Sequence, residues 1–185
     1  MEYIPVTMLR QDLADIPQHP LPVGFSMRLF RDGDGGTWSG VWQAAEPHKT
    51  MKAEMFEREF SHDLPSMPRR CYFLVSPAGR DIGTVTAWYV RSYRGRPWGL
   101  IHYVAIVQEF QGRGLAKPMV TVAMNRLRLL GHRRAMLRTQ TPRIVAIKTY
   151  LDFGFVPDMT AKDAHHAWSL VREVLPHPVL GCALA

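Results

Sequence analysis

The stretch Val104–Ala116, VAIVQEFQGRGLA, decides the fold of this chain. A run of apolar residues leads into a turn that contains Gly112 and Gly114, and a helix-forming sequence follows directly. Glycine allows positive φ and lets a ligand approach the main chain closely. The free N–H groups of such a turn, with the N-terminus of the next helix, form a binding site for phosphate. The stretch therefore predicts a buried strand, an anion-binding turn and a helix.

The flanking sequence alternates between strand-like and helix-like segments, which predicts an α+β domain. Residues 1–185 are expected to form a single domain with an irregular, proline-rich N-terminal arm over 1–23, a core over 24–175 and a C-terminal tail over 176–185. The predicted strands are Gly24–Phe30, Cys71–Val75, Ile82–Val90, Gly99–Val107, Ala135–Thr139 and Ala167–Val174. Four helices are predicted. The first begins near Trp38, and the others cover Met51–Phe60, Gly114–Gly131 and Ile144–Phe153.

The composition excludes several classes of protein. The 185 residues are 46% hydrophobic and 21% charged, as in ordinary globular domains, and this argues against disorder. No apolar run approaches the length of a membrane span, and the first 21 residues lack the apolar centre of a signal peptide. Two cysteines, Cys71 and Cys182, do not predict a disulfide framework or a four-ligand zinc site. We therefore expect a cytoplasmic protein without a metal and without membrane contact.

The positive charge is concentrated in one part of the chain. The formal net charge is +7, and residues 91–150 contain twelve Lys or Arg but a single acid, Glu109. This segment therefore carries +11, and the remaining residues together carry −4. Such a segment is either a solvated basic surface or the binding surface for an anionic partner. Nucleic acid is the weakest candidate for that partner, because no nucleic-acid-binding motif accompanies the charge.

Two motifs resemble signatures of the GNAT superfamily of acyl-CoA-dependent N-acetyltransferases. Gln111–Ala116, QGRGLA, resembles the first signature, Q/R-x-x-G-x-G/A. Ala146–Phe155, AIKTYLDFGF, is similar to the second, A-x-x-x-Y-x-x-x-G-F, and it follows at a typical separation. The resemblance implies a GNAT-type mixed, mostly antiparallel sheet of about six or seven strands flanked by about four helices. It also implies acetyl-CoA as the acyl-donor co-substrate.

The resemblance implies roles for the residues that match these signatures. In the family, the strand before the glycine turn bulges and splays away from its neighbour, and its backbone pairs with pantetheine. Here these residues are Val104, Ala105 and Ile106, and the amide of Ile106 is expected to stabilise the oxyanion. The pyrophosphate is expected on the amides of the turn, with a lysine nearby; the residues are Gln111, Gly112, Arg113, Gly114, Leu115, Ala116 and Lys117.

The resemblance also implies a general acid, whereas the base is left open. Tyr150 matches the tyrosine that protonates the departing thiolate, although it could instead be a core aromatic residue. Arg143 stands where the family often has an asparagine that contacts the cofactor, and an arginine can still donate to a carbonyl or phosphate. A protonated amine needs a proton acceptor before it can attack the thioester. His102 is the candidate base, because the ordinary pKa of imidazole is about 6.5. The alternatives are Glu57, Glu59 and His62 on the second helix.

These observations lead to two hypotheses about function. The first is an N-acetyltransferase that moves an acetyl group from acetyl-CoA to a primary amine by direct attack in a ternary complex. The second is an acyl-CoA-binding sensor with little or no turnover. The acceptor is expected to be a small-molecule or peptide amine, and the segment 31–70 is expected to cover it. Dimers are frequent in the resembled family, so a homodimer is also an expectation.

Overall fold

The computed structural model describes residues 1–47 and 54–184. Its strands are β1 (Pro5–Arg10), β2 (Ser26–Leu29), β3 (Cys71–Val75), β4 (Asp81–Tyr93), β5 (Arg96–Ile106), β6 (Ala135–Gln140) and β7 (Val156–Pro157). Its helices are α1 (Gly35–Ala45), α2 (Met55–Phe60), α3 (Met67–Arg70), α4 (Ala116–Leu129), α5 (Ile144–Asp152), α6 (Ala164–Val174) and α7 (Pro178–Ala183). Two 3₁₀ helices cover Ser61–Ser66 and Gln108–Phe110. No helix in the described ranges is both long and apolar enough to cross a membrane.

The strands form one mixed sheet of the order β2-β3-β4-β5-β6-β1-β7. The pairs β2–β3, β3–β4, β1–β6 and β1–β7 are antiparallel, whereas β5 and β6 are parallel. The parallel pairing covers only Gly99 opposite Ala135 and Leu100 opposite Met136. Seven strands in a mostly antiparallel sheet, with four helices of nine or more residues among the described ones, confirm the predicted fold class.

The chain divides into two compact units. The first, which we call the glycine-turn unit, consists of Gln18–Trp88 and Ile101–Leu130. Its core packs α1, α2 and α4 against strands through fully buried side chains, including Trp38, Phe60, Phe73, Leu74, Ile82, Leu115 and Met119. The apolar residues of α4 recur at helical spacing, so that one face is buried while Arg128 on the other is exposed.

The second unit, the terminal unit, consists of Met1–Pro17, Tyr89–Leu100 and Gly131–Ala185. Strand β1 lies at its centre and pairs with β6 along six residues. Its largest buried side chains belong to Met8, Phe153, Phe155 and Trp168. The expectation of a single domain over 1–185 stays a prediction.

Three segments differ from the sequence predictions. The arm predicted as irregular contains β1, in which Val6, Met8 and Leu9 are buried and Pro5 is tolerated as the first residue of a strand. The strand predicted over Ala167–Val174 is wrong, because these residues belong to helix α6.

The buried residues of α6 show the helical period that the strand prediction missed: Ala164, Ala167, Trp168 and Val171. The predicted C-terminal tail contains α7, which buries Leu180 and begins with a cap in which His177 Nδ1 accepts a hydrogen bond from Val179 N. Of the helix predicted over Met51–Phe60, Met55–Phe60 is helical, and residues 51–53 lie outside the described residues.

A buried carboxylate holds the β4–β5 hairpin in the terminal unit. Asp158 accepts hydrogen bonds from Tyr93 Oη, Arg94 Nη2, and the backbone N and Oγ1 of Thr160. Burial alone would raise the pKa of Asp158, but the hydrogen bonds from Tyr93 and Thr160 and the charge of Arg94 outweigh it and lower the pKa. The ionised form is therefore the one that the fold stabilises.

We expect Asp158→Asn to lower the free energy of unfolding by about 2–3 kcal/mol at pH 7, because an amide cannot satisfy all these donors. The pKa of Asp158 is lower in the folded protein than in the unfolded chain, where it is about 3.9. Its carboxylate therefore stabilises the fold above the unfolded-state pKa, and this stabilisation is lost as the pH falls through the folded-state pKa. The difference between the two proteins should therefore shrink below about pH 4. Urea unfolding at several pH values measures this, and a pH-independent difference would contradict it.

Candidate functional site

Strand β5 departs from regular strand geometry at Tyr103, a position that we call the bulge. The φ of Tyr103 is 48°, a left-handed conformation that is rare for a residue with a large side chain. Strict alternation would place His102 and Tyr103 on opposite faces, yet both rings contact Phe60, at centroid distances of 6.1 and 5.7 Å. Alternation along the strand would also place His102 on the same side as Val104 and Ile106, and the positive φ of Tyr103 interrupts that alternation. The positive φ falls in the strand for which the family resemblance implies a bulge, and the splaying of that strand stays a prediction.

The segment after the bulge connects β5 to the glycine turn. Ala105 is buried, whereas Val104 and Ile106 are half-buried. Val107 N donates to Ile82 O at 2.8 Å, which holds the end of the strand against β4. Gln111 Nε2 donates to Ile106 O at 2.8 Å, so the first residue of the QGRGLA motif fixes the turn against the strand that precedes it.

The glycine turn exposes its backbone. Gly112 and Gly114 have φ of 74° and 73°, and a Cβ built on either would meet no described atom within 4 Å. Helix α4 then begins at Ala116 without a side-chain cap on its first amides and without an acidic residue in its first turn. Uncapped amides and the positive end of the helix dipole favour an anion at this position. The geometry therefore agrees with a phosphate site built from the main chain.

Guanidinium groups surround the 3₁₀ helix that leads into this turn. Arg113 Cζ lies 4.6 Å and Arg80 Cζ lies 5.6 Å from the centroid of the Phe110 ring. Arg80 forms an ion pair with Glu109, and Arg113 Nη2 donates to the Glu109 carbonyl at 3.0 Å. Glu109 thus holds the side chains of Arg80 and Arg113 in place beside the turn.

An aromatic cluster packs against the bulge from α1 and α2. The Tyr103 ring lies 4.8 Å from Trp38 and 5.1 Å from Trp42, both in edge-to-face geometry. Burial, followed by the negative charge of Glu59 on α2, raises the pKa of Tyr103. Tyr103 therefore stays protonated at neutral pH.

The second signature lies in the terminal unit, where it forms helix α5. Tyr150 is 8% exposed, and its ring lies 6.2 Å from Phe155. Burial raises the pKa of Tyr150 to about 12, although the charge of Arg143 acts in the opposite direction. Arg143 is the residue before α5, and its backbone N donates to Gln140 O at 3.0 Å. At neutral pH the phenol of Tyr150 therefore carries a proton that it can donate.

A model of the acetyltransferase (GNAT) family matches residues 36–155, which include the bulge, the glycine turn and α5. The chain belongs to this family. The mycothiol acetyltransferase of Streptomyces coelicolor is 29% identical over 160 residues, which are 82% of this chain and 50% of that enzyme. The mycothiol acetyltransferase of Pseudarthrobacter chlorophenolicus is 28% identical over 147 residues, which are 77% of this chain and 46% of that enzyme. The chain thus spans about half the length of the curated relatives it matches.

Solved structures of GNAT proteins share the fold. A GCN5-related N-acetyltransferase from Sphaerobacter thermophilus has a TM-score of 0.65 at 21% identity, over 84% of this chain and 50% of that one. A GNAT-family acetyltransferase from Colwellia psychrerythraea has a TM-score of 0.62 at 12% identity, over 85% of this chain and 54% of that one. At these identities the likeness establishes the fold class of this GNAT chain.

The residues predicted for the site are distributed over both units. The glycine-turn unit holds the predicted pantetheine and pyrophosphate residues and His102; the terminal unit holds Arg143 and Tyr150. Lys117 is half-buried in the first turn of α4. The roles of all these residues stay predictions.

The four candidate bases have different surroundings within the glycine-turn unit. The His102 ring is half-buried and lies 4.2 Å from the Tyr103 ring. The His62 ring lies 5.5 Å from Trp88, and Glu57 is exposed on α2. Glu59 is half-buried on α2, and Arg58 Nη2 lies 3.1 Å from its carboxylate.

Sequence reasoning missed Tyr103. Nothing in a single apolar run marks the residue at which a strand will bulge, and Tyr103 follows His102 in such a run. Its ring contacts Trp38, Trp42 and Phe60, which lie far earlier in the chain, and these contacts depend on how α1 and α2 pack against β5. Among residues 1–47 and 54–184, no group of three or more His, Cys, Asp or Glu side chains is arranged to hold a metal ion.

Gly83 allows β4 to approach the segment predicted to bind pantetheine. A Cβ at this position would lie 2.8 Å from Ala105 O and 3.2 Å from Leu74 Cβ. Because a backbone oxygen cannot rotate away, we expect Gly83→Ala to displace β5 near Ala105. The variant should lose about 1–3 kcal/mol of unfolding free energy, a typical result of overpacking, and should bind CoA more weakly.

Denaturant unfolding and calorimetry with CoA measure both effects. Gly40→Ala is the matched control, since a Cβ there meets nothing within 4 Å and the residue lies in α1. Alanine also favours the helix at such a site, so this variant should be as stable as the parent or more so. Wild-type stability and CoA affinity in Gly83→Ala would show that the close approach is unimportant.

Proposed function

We propose that this chain transfers an acetyl group from acetyl-CoA to a primary amine by direct attack in a ternary complex. The observation that carries the proposal is the exposed turn between the bulged strand β5 and the uncapped helix α4, with Gly112 and Gly114 at positive φ. Such a turn presents amides and a helix dipole to an anion. The match of the GNAT family model to residues 36–155 supports acetyl-CoA as the source of that anion.

The chain's own residues fit the donor substrate at the turn. The amides of residues 111–116 would hold the pyrophosphate, with Lys117 and Arg113 supplying positive charge. The backbone of Val104, Ala105 and Ile106 would bind pantetheine, and the Ile106 amide would donate to the thioester oxygen as negative charge develops there. The exposure of residues 111–114 is consistent with this role.

We assign the general acid to Tyr150. Its pKa, raised to about 12 by burial, keeps the proton on the phenol at neutral pH. The departing thiolate of CoA would take that proton, and solvent would restore it afterwards. Arg143 would contact the cofactor in place of the usual asparagine, as a donor to a carbonyl or phosphate.

The acceptor is proposed to be a small-molecule or peptide primary amine. The two mycothiol acetyltransferases make mycothiol-related amines the first acceptors to test, although this chain covers only about half of each enzyme. His102 is retained as a proposed base beside the alternatives Glu57, Glu59 and His62. A homodimer is the proposed assembly.

Calorimetry with acetyl-CoA tests the donor site, and thiol release in the presence of an amine panel tests turnover. We expect micromolar binding and amine-dependent thiol release. Binding without amine-dependent release would instead indicate an acyl-CoA sensor. Absence of binding would overturn the assignment of the glycine turn to acetyl-CoA.

A further inference from the structure

Two neighbouring peptide groups at the end of β5 have fixed orientations. Val107 N donates to Ile82 O on β4 at 2.8 Å. Ala105 O also faces β4, since it would lie 2.8 Å from a Cβ added at Gly83. In a trans peptide the N–H and the C=O point in opposite directions. Both the N–H and the C=O of Ile106 therefore point away from β4.

The carbonyl of Ile106 is held by a side chain on the side away from β4. Gln111 Nε2 donates to Ile106 O at 2.8 Å. The pairing of β5 with β6 on this side covers only Gly99 and Leu100, far from Ile106 along the strand. The Gln111 amide thus binds the carbonyl where a neighbouring strand would otherwise do so. It restrains the residue whose N–H is proposed to meet the thioester oxygen.

The same side chain reaches helix α1. Gln111 Nε2 also donates to the carbonyl of Ala45, the last residue of α1, at 3.4 Å. The last carbonyls of a helix have no partner within the helix, so Gln111 supplies one. A side-chain amide nitrogen has two N–H donors, and these two carbonyls use both. The side chain of Gln111 therefore has no donor left for a phosphate at the glycine turn.

Helix α1 is joined to β5 at two places. Trp38 and Trp42 of α1 pack on the ring of Tyr103 at the bulge. Gln111 joins the C-terminal end of α1 to the last residue of β5. These contacts restrain the strand on both sides of the short segment that is proposed to bind pantetheine and the oxyanion.

We propose that Gln111 is a positioning residue for acetyl transfer, because its side chain holds Ile106 so that the Ile106 N–H points at the thioester oxygen. This inference rests on the proposed function, which assigns the oxyanion donor to Ile106. Donors that are oriented in advance need no reorganisation during the reaction, and a displacement of about 1 Å can lower a rate about 100-fold. The side chain should therefore affect the chemical step more than the binding of acetyl-CoA.

Gln111→Met tests this role. Methionine is similar in length and uncharged, but it donates a hydrogen bond to neither carbonyl. We expect kcat for amine acetylation to fall about tenfold, with an acetyl-CoA affinity within about threefold of wild type. Gln108→Met is the matched control, because Gln108 is exposed on the 3₁₀ helix before the turn and its side chain has no hydrogen bond among the described residues. This control should behave as wild type.

The infrared band of the thioester carbonyl gives a readout that needs no turnover. A hydrogen bond to a carbonyl oxygen lowers its stretching frequency. Acetyl-CoA isotopically labelled at this carbonyl should therefore show a lower frequency when bound to the wild-type protein than in solution. In Gln111→Met the band should return toward its solution position. A merely structural role of Gln111 would lower thermal stability and leave the band at its wild-type position.

Gln111→Arg is the rescue variant. Arginine has five N–H donors and can bond to both carbonyls, and the first family signature permits it at this position. Its kcat should lie within about threefold of wild type, and its carbonyl band should match that of the wild-type complex. A kcat and a band like those of Gln111→Met would show that donation to these carbonyls is not what matters.

The outcomes separate this inference from the proposed function. Wild-type protein that binds acetyl-CoA without lowering the carbonyl frequency would overturn the assignment of the oxyanion donor, and the role of Gln111 with it. A lowered frequency in wild type, with the same band and the same kcat in Gln111→Met, would overturn the inference alone. A loss of acetyl-CoA affinity in Gln111→Met without a change of the band would also overturn it, because Gln111 would then act on the phosphates.

Discussion

Tyr150→Phe is expected to lower kcat for amine acetylation at least about 100-fold, within the range found for general acids. Tyr150 is 8% exposed, and burial raises its pKa to about 12, so the phenol is protonated throughout the neutral range. Phenylalanine keeps the ring against Phe155 and removes only the donor. Thiol release with saturating amine measures kcat, and calorimetry should show a CoA affinity within threefold of wild type.

The result depends on the step that limits the rate. An amine whose product leaves slowly would hide the loss, so single-turnover measurements should accompany the steady state. Thr149→Ser on the same helix is a suitable control, because its hydroxyl can retain the bond from Thr149 Oγ1 to Val145 O. A single-turnover rate within twofold of wild type in Tyr150→Phe would remove Tyr150 as the acid.

Gly114→Ala is expected to weaken acetyl-CoA binding by about 30-fold, which corresponds to about 2 kcal/mol. At φ of 73° an L-residue is strained, and its Cβ would occupy the open space above the turn through which a phosphate must approach the amides. Calorimetry with acetyl-CoA gives the affinity. Thermal unfolding gives the separate effect of backbone strain on stability.

Gly79→Ala is the matched control for that strain. Gly79 also has a positive φ, 76°, and a Cβ added there would meet nothing within 4 Å. It lies in the turn between β3 and β4, away from the glycine turn. Both variants should lose similar stability, and only Gly114→Ala should lose affinity. Equal affinities in the two variants would exclude the glycine turn as the phosphate site.

The segments with strong local signals were predicted well. The apolar period of α4 and the glycines that frame the turn are local properties, so Gly114–Gly131 was predicted close to the observed Ala116–Leu129. The same holds for α5, whose predicted range Ile144–Phe153 exceeds the observed one by a single residue. The first family signature leads into α4 and the second covers most of α5, so the family is recognisable from sequence.

Features that depend on tertiary contacts were not predictable. β1 buries Met8 only because β6 and β7 pair with it on either side, and the prolines that follow obscured its alternation. α6 was mistaken for a strand because the residues Ala167–Val174, taken without Ala164, conceal its period of 3.6.

The candidate site shows the same division. Residues 111–114 form the expected exposed turn, because the conformational freedom of glycine is a local property. The positive φ of Tyr103 and the contacts of its ring with Trp38, Trp42 and Phe60 depend on the packing of α1 and α2 against β5, and alternation along the strand could not anticipate them.

Initial rates of thiol release over a matrix of acetyl-CoA and amine concentrations test the central claim most directly. Direct transfer in a ternary complex predicts rates that depend on both substrates and double-reciprocal lines that intersect. Parallel lines would indicate a covalent acyl-enzyme and a ping-pong mechanism. Thiol release that does not respond to any amine would contradict the claim that this chain is an amine acetyltransferase.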